Sequence, residues 1–163
     1  MSLNFTIRFI EKSEIPQLTK FFYEAIFIPE GQDKPDPSII ELPELSVYYK
    51  DFGKQDDICF VAETEGTLMG AIWTRIFEET EPGYGYVDAK TPELSMSVLK
   101  EYRNKGIGSE LLKTMINELM QGGYDQVSLS VDTINYAYPM YKKFGFTTLF
   151  IKDDSATMVK KLK

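Results

Sequence analysis

Six residues between two regular segments carry the first pattern that suits chemistry. The turn Arg103-Asn-Lys-Gly-Ile-Gly108 follows an apolar run at 94–99 and precedes a helical run that begins with Gly108-Ser109. A helix N-terminus offers unpaired amides and partial positive charge, and glycines let an anion approach the backbone closely. Arg103 and Lys105 add charge. The turn therefore predicts a pyrophosphate site, although a glycine-rich helix start with solvated cations would look the same. It lacks the spacing of a P-loop or a G-x-G-x-x-G turn.

The usual activated nucleophiles are missing from the sequence. It contains one cysteine, Cys59, and no histidine. This excludes an internal disulfide, a cysteine-rich zinc site and a histidine-based triad, and no metal site is predicted. Cys59 lies in the apolar run ICFVAE, which is typical of a buried core thiol. The chemistry is left to carboxylates, tyrosines and backbone amides.

The hydrophobic pattern predicts strands alternating with helices along the whole chain. Strands are predicted at 5–10, 57–63, 67–77, 94–99, 126–131, 146–151 and 157–162. Helices are predicted at 13–27, 108–123 and 135–145. This alternation favours an α+β fold, an α/β-like sandwich with a mixed sheet, in a single domain over 1–163. A long Gly/Pro/Tyr loop at 78–93 is of the kind that is often functional.

Composition and charge narrow the classes of partner. The 163 residues are 43% hydrophobic and 26% charged, typical of a globular protein, and no apolar run is long enough to span a membrane. The opening residues 1–14 have no leader pattern, which predicts a soluble, cytoplasmic protein. Residues 1–95 carry net charge −10 and residues 96–163 carry +3. The acidic total argues against nucleic acid, and the split suggests a cationic and an anionic ligand, although a solvated acidic surface also explains it.

Two segments at the expected separation resemble the GNAT superfamily of N-acetyltransferases. The first matches the signature [Q/R]-x-x-G-x-[G/A] at Arg103, Gly106 and Gly108. The second matches N-x-x-A-x-x-x-Y-x-x-x-G-F at Asn135, Ala137, Tyr141, Gly145 and Phe146, with the alanine one place early. The resemblance is strong over about 92–146 and weaker before it. It implies a mixed, mostly antiparallel sheet of about six to seven strands, splayed in the middle and flanked by about four helices.

The resemblance also implies acetyl-CoA as the acyl donor. Its pyrophosphate would then bind to the turn, at Arg103, Asn104, Lys105, Gly106, Ile107, Gly108 and Ser109. Its pantetheine arm would pair with the main chain of Met96, Ser97 and Val98, as an added strand. The amide of Val98 would polarise the thioester carbonyl. Asn135 and Tyr138 are expected to complete the cofactor site.

Two residues are expected to move protons. Tyr141 occupies the position of the family's acid and would protonate the departing thiolate, with Tyr138 as its rival and a core aromatic as the plainer interpretation. Glu93 begins the strand beside the cleft and would accept the proton of the amine, directly or through water. Solvent or the tyrosines of the sequence GYGY remain alternatives to Glu93.

The acceptor is expected to be an amine, held by the divergent first half of the chain. The candidate contacts are the aromatic and charged residues Tyr23, Glu24, Glu30, Trp73, Arg75, Tyr84 and Tyr86. The predicted function is acetyl transfer from acetyl-CoA to a primary amine of a small molecule or peptide, by direct attack in a ternary complex. The alternatives are an acetyl-CoA-sensing module without turnover and an acyltransferase with another donor or acceptor. A homodimer is possible, and neither nucleic acid nor membrane is expected as a partner.

Overall fold

A computed structural model describes residues 4–163, so the first three residues of the predicted leaderless N-terminus lie outside the described part. Over this range the chain forms a seven-stranded sheet. The strands are β1 (Thr6–Phe9), β2 (Ile58–Thr64), β3 (Thr67–Arg75), β4 (Glu93–Val98), β5 (Gln126–Asp132), β6 (Thr147–Lys152) and β7 (Ser155–Lys161). Their order across the sheet is β1-β2-β3-β4-β5-β7-β6.

All neighbouring strands pair antiparallel except β4 and β5. These two run parallel and are in register at one position, Glu93 opposite Ser128. Beyond that position each strand keeps its other neighbour, with β4 paired along its length to β3 and β5 to β7. The sheet is therefore continuous at one end of this pair and split at the other, as predicted.

Four α-helices cover the two faces of the sheet: α1 (Leu18–Ala25), α2 (Pro43–Ser46), α3 (Ile107–Gln121) and α4 (Ala137–Lys143). The inner face of α3 is apolar because Leu111, Met115 and Leu119 recur at helical spacing and are fully buried. The first helix was predicted from Ser13, but its opening turns, Lys12–Gln17, are 3-10. Pro16 explains this difference, because its ring disfavours the α conformation at the residue before it, Ile15.

Two hydrophobic clusters pack on the sheet. One joins α3 and α4 to β5 and β7, and the other joins α1 and the segment around α2 to β2 and β3. No helix within residues 4–163 combines the length and apolar character needed to cross a membrane. The predicted fold class is confirmed: a seven-stranded mixed sheet, mostly antiparallel, with four α-helices.

Candidate active site

The split between β4 and β5 opens a cleft of about 830 Å³. Its walls come from both halves of the chain. One side contains β4, the 103–109 turn and the start of α4, and the other contains the end of α1 and the loop that follows it. Because β4 and β5 are in register only at Glu93 and Ser128, the rest of β4 along the cleft has no strand partner on that side.

Main-chain groups of β4 point into this gap. The Leu99 amide donates to Met69 on β3 at 2.9 Å, whereas the Pro92 carbonyl accepts from the Ser128 amide on β5 at 3.0 Å. Hydrogen-bonding groups alternate in direction along a strand, so Met96 and Val98 face away from β3, as Pro92 does. The sequence assigned Met96, Ser97 and Val98 to a pantetheine arm, and by this alternation the main chain of Ser97 faces β3 instead, opposite Ala71.

The 103–109 turn presents a row of backbone amides. Asn104 and Gly106 both adopt left-handed conformations, with φ of 63° and 83°. The first hydrogen bond of α3 is donated by the Glu110 amide to the Gly106 carbonyl at 3.1 Å. The preceding amides, including those of Gly108 and Ser109, therefore have no partner within the helix and line the cleft or border it. This is the geometry of an anion site.

The two glycines of this turn have different reasons to be glycine. Gly106 needs its positive φ, which side chains rarely adopt. A Cβ on Gly108 would meet only ordinary contacts, 3.6 Å from Met96 and 3.9 Å from Val98. Packing thus leaves room for a side chain at Gly108. The missing Cβ keeps the amides open to a ligand, which fits the pyrophosphate of a coenzyme A thioester.

Arg103 and Lys105 differ from the prediction in their side chains. The Arg103 Nε donates to the Val98 carbonyl at 2.9 Å, and its guanidinium stacks over the Tyr136 ring at 5.6 Å. Arg103 therefore ties the end of β4 to the start of α4 while its residue lines the cleft. Lys105 does not line the cleft.

The second motif brings Tyr141 and Asn135 to the cleft. Tyr141 is buried, packs edge-on against Phe146 and lines the cleft. Burial raises the pKa of its phenol above the ordinary value, which keeps the hydroxyl protonated and able to donate. The Asn135 side chain accepts from the amide of Ala137, the first residue of α4, at 2.8 Å. Tyr138 lies away from the cleft, with its hydroxyl 2.9 Å from that of Thr148.

Glu93 is a carboxylate buried at the closed end of the cleft, only 3% exposed. Burial raises its pKa to about 7, and a hydrogen bond from the Tyr48 hydroxyl to Oε2 opposes that rise. The backbone at Gly85 also opposes it. The other oxygen, Oε1, is buried without a hydrogen-bond partner among the described residues. A carboxylate with a pKa near neutrality can both accept and release a proton at physiological pH.

The loop before β4 closes over this carboxylate. A Cβ on Gly83 would lie within 2.3 Å of the Glu93 Oε1 and 2.8 Å of the Tyr48 hydroxyl. A Cβ on Gly85 would clash with the backbone of β5, 2.6 Å from the carbonyl carbon of Leu129. Both glycines of the sequence GYGY are therefore required by close contact, and the predicted functional loop lies directly on the site.

Trp73 and Arg75 were expected to contact the acceptor, but neither lines the cleft. Both are buried in the sheet. The Trp73 Nε1 donates to the Tyr48 carbonyl at 3.0 Å. Arg75 forms a buried salt bridge with Asp57 at 3.0 Å and donates to the carbonyl of Lys50 at 2.6 Å. These side chains hold the segment that carries Tyr48, because a buried guanidinium needs a charge partner and several acceptors.

The remaining acceptor candidates divide by position. Tyr23, Glu24, Glu30 and Tyr84 line the cleft. The Tyr23 hydroxyl donates to the Pro35 carbonyl at 2.5 Å and so fastens the loop after α1. Tyr86 does not line the cleft and packs against the cluster around α1.

The one thiol lies outside the cleft, and the described residues offer no cluster of metal-binding side chains. Cys59 is 3% exposed, and burial raises the pKa of its thiol well above the ordinary value. Residues 4–163 contain no group of three acidic, cysteine or histidine side chains placed to hold a metal ion.

Sequence reasoning missed Tyr48, which lines the cleft and bonds Glu93. The sequence places it in SVYYK beside a second tyrosine, with no periodicity or motif to single it out. The closest signal was the pair of glycines at 83 and 85, whose spacing marks a tightly packed loop but not its partner.

Comparison with known proteins agrees with this geometry. The sequence profile described as Acetyltransferase (GNAT) family matches residues 19–146. An N-alpha-acetyltransferase of Sulfolobus acidocaldarius is 29% identical over 155 residues, 88% of this chain and 80% of that protein. The N-alpha-acetyltransferase MAK3 of Arabidopsis thaliana is 30% identical over 90 residues, 55% of this chain and 44% of that protein. In the latter match the chain spans less than half of its relative.

The fold has solved counterparts as well. The PaiA N-acetyltransferase of Thermoplasma acidophilum, solved in complex with coenzyme A, superposes with a TM-score of 0.69 at 22% identity. The alignment covers 98% of this chain and 99% of that one. The split sheet, the turn of free amides and the profile match together show that the chain belongs to the acetyltransferase (GNAT) family.

Proposed function

We propose that the protein transfers an acetyl group from acetyl-CoA to a primary amine by direct attack in a ternary complex. The observation that carries the proposal is the cleft itself. Backbone amides at the start of α3, main chain of β4 without a strand partner, a buried phenol and a carboxylate with a pKa near 7 all border one space. Each is a part that acyl transfer to an amine requires.

Acetyl-CoA supplies the thioester carbonyl that is attacked and the thiolate that leaves. The amides of the 103–109 turn would bind its pyrophosphate, and Met96 and Val98 would align its arm through their main chain. The Val98 amide would stabilise charge developing on the thioester oxygen. Tyr141 would donate its proton to the departing sulfur, a role consistent with a phenol that stays protonated.

Glu93 would take the proton that the acceptor amine must lose. An alkyl ammonium has a pKa of about 10.4 and is unreactive as a nucleophile. Because the pKa of Glu93 is about 7, the carboxylate is available at neutral pH and is a stronger base than an exposed glutamate. The proton released by the amine therefore has a defined destination within the site.

The burial and position of the Cys59 thiol favour direct attack over a covalent acyl-enzyme intermediate. Cys59 is buried, lies outside the cleft and has a raised pKa, and the chain has no histidine to activate it. A sensing module without turnover is the rival interpretation. It would require the cofactor site alone, and it leaves the buried Glu93 unexplained, since an ionisable side chain is costly to bury.

The test is a panel of amines assayed for release of free thiol from acetyl-CoA. The panel includes peptide α-amines, suggested by the N-alpha-acetyltransferase relatives, together with polyamines, lysine and small amino sugars. We expect thiol release that depends on one class of amine, with the acetylated amine identified by mass. Tight coenzyme A binding with no acetylated product from any amine would support the sensing module instead.

A further inference from the structure

Both oxygens of Glu93 are screened from the acceptor in this structure. Oε2 is engaged by the Tyr48 hydroxyl, and Oε1 is buried against Gly83, where even a Cβ has no room. Glu93 as a whole is only 3% exposed. Oε1 is therefore closed to an amine in the cleft, and the oxygen that remains, Oε2, is the one that the Tyr48 hydroxyl bonds.

The Tyr48 hydroxyl has a hydrogen-bonding position left with which to receive a proton from the amine. Its oxygen accepts a hydrogen bond from the Tyr84 amide at 2.6 Å, and its own proton is donated to Glu93. A phenolic hydroxyl has one donor and two acceptor positions, so one lone pair remains. Tyr48 lines the cleft, as Glu93 does, and its hydroxyl donates directly to the carboxylate.

We propose that the Tyr48 hydroxyl relays the proton of the acceptor amine to Glu93. The inference rests on the proposed function, because it needs an amine in the cleft and Glu93 as the base. The amine N–H bond breaks as its proton joins the Tyr48 oxygen. The original Tyr48 O–H bond breaks as its own proton joins Oε2 of Glu93. The amine is left neutral with a free electron pair, Tyr48 is unchanged, and the carboxylate becomes a carboxylic acid.

The position of Tyr48 is fixed by contacts that do not involve the acceptor. Its ring stacks on Phe22 at 5.2 Å and meets Phe77 edge-on at 5.1 Å between centroids. Trp73 bonds its carbonyl, and Arg75 bonds the carbonyls on either side, at Val47 and Lys50. Such anchoring keeps the hydroxyl within hydrogen-bonding distance of the carboxylate without help from substrate.

Among the described residues no charged side chain forms a hydrogen bond or a salt bridge with Glu93. On β3 the residue opposite is Arg75, whose charge is paired with Asp57. On β5 the residue opposite is the uncharged Ser128. Glu24 at the end of α1 and Asp132 at the end of β5 line the cleft but do not bond the carboxylate. Tyr48 is the side chain that bonds it.

The experiment compares Tyr48→Phe with a matched neighbour, Tyr49→Phe. The Tyr49 hydroxyl bonds the Ile40 carbonyl at 2.8 Å and lies outside the cleft, so its loss controls for removing a hydrogen-bonded tyrosine hydroxyl from the same segment. With the best amine of the panel, kcat on the high-pH plateau should fall by at least about 10²-fold in Tyr48→Phe. Tyr49→Phe should stay near wild type, and coenzyme A affinity should be unchanged in both.

A double variant asks whether the two groups form one path. If Tyr48 acts only through Glu93, Tyr48→Phe combined with Glu93→Gln should be no slower than the slower single variant. Losses that multiply would overturn the relay. A Tyr48→Phe enzyme with the wild-type plateau, and only a shifted pH midpoint, would overturn it too and leave Tyr48 as a group that positions the carboxylate.

A solvent isotope measurement counts the protons that move. The relay moves two protons towards Glu93 and direct transfer moves one, while Tyr141 donates a further proton to the thiolate. In Tyr141→Phe that further proton is absent, so a relay should give a curved plot of kcat against the deuterium fraction of the solvent, and direct transfer a straight one. A straight plot would contradict the relay. A wild-type enzyme that acetylates no amine would end the proposed function and the relay together, whereas full activity of Tyr48→Phe ends the relay alone.

Discussion

The proposed cofactor half and the proposed acceptor half of the cleft are built in different ways. The cofactor half is main chain: the free amides of the 103–109 turn and the outward-facing groups of β4, residues consecutive or nearly so. The acceptor half is side chain: Tyr48 and Glu93 are 45 positions apart, and Gly83 lies between them in sequence and above them in space. Backbone binding depends on local conformation, whereas the proton path depends on the whole fold.

This difference predicts that the two halves fail separately. Damage to the turn should remove cofactor binding, and damage around Glu93 should slow the reaction with the cofactor still bound. The predictions below test that separation, starting with the largest expected effect.

Gly106→Asp should have the largest effect, on coenzyme A affinity. The substitution adds negative charge beside the proposed pyrophosphate site and strains a residue with φ of 83°. We expect calorimetry to show a fall of more than about 10²-fold in coenzyme A affinity. The added carboxylate repels the pyrophosphate, and the backbone strain disturbs the amides that would bind it. Gly123→Asp is the matched control, because Gly123 has the same φ of 83° in open space at the other end of α3. Equal affinity in the two variants would remove the anion site from the turn.

Tyr141→Phe should have the next largest effect, on kcat alone. Loss of the proton donor should lower kcat by roughly 10²-fold, with coenzyme A affinity nearly unchanged because only a hydroxyl is removed. Tyr138→Phe is the control, since that hydroxyl bonds Thr148 away from the cleft. A slow Tyr138→Phe beside a fast Tyr141→Phe would transfer the acid role to Tyr138.

Glu93→Gln should change the pH dependence of stability. The folded pKa is about 7 and the ordinary value is 4.5, so the unfolded chain gives up this proton first. Stability from this group is complete below about pH 4.5 and declines as pH rises to 7, by roughly 3 kcal/mol in all. Urea unfolding at pH 4 and pH 8 should show that decline in wild type and in the exposed control Glu44→Gln, and its absence in Glu93→Gln. The same decline in Glu93→Gln would mean that Glu93 is ionised at no cost.

The smallest effect concerns attraction of the acceptor. Residues 1–95 carry −10, and Glu24 and Glu30 line the cleft, so a cationic amine should be drawn in. Raising ionic strength from about 0.01 M to about 0.15 M shortens the Debye length from about 30 Å to about 8 Å and should lower kcat/KM several-fold. The kcat should hold steady. A flat profile, or a preference for anionic acceptors, would contradict steering but not the family assignment.

The halves also differ in how far the sequence revealed them. The fold, the split at β4 and β5, and the family were predicted correctly, because strand alternation and the spacing of Arg103, Gly106 and Gly108 are local patterns. Trp73 was assigned to the acceptor because an aromatic ring suits a cationic amine, and Arg75 because it could hold a substrate carboxylate, yet both are buried in the sheet outside the cleft. Their burial follows from strand register against β2 and β4, which one sequence does not specify.

Tyr48 shows the same limit of a single sequence, because it is a cleft residue that was missed rather than one wrongly assigned. Its role depends on a carboxylate 45 residues away and on two glycines that admit a close approach. The individual roles of Glu93, Tyr141 and the turn residues stay predictions, now with a geometry that can be tested.

The most direct test of the account is the pH dependence of kcat/KM for the acceptor in wild type and in Glu93→Gln. The acceptor should be an alkyl amine whose own pKa, about 10.4, is well separated from that of the enzyme. The account predicts that wild-type kcat/KM follows an ionisation with a midpoint near pH 7, set by the buried carboxylate. It predicts that Glu93→Gln loses this ionisation and is slower by about 10²-fold or more. An unchanged midpoint near pH 7 in Glu93→Gln would show that another group is the base.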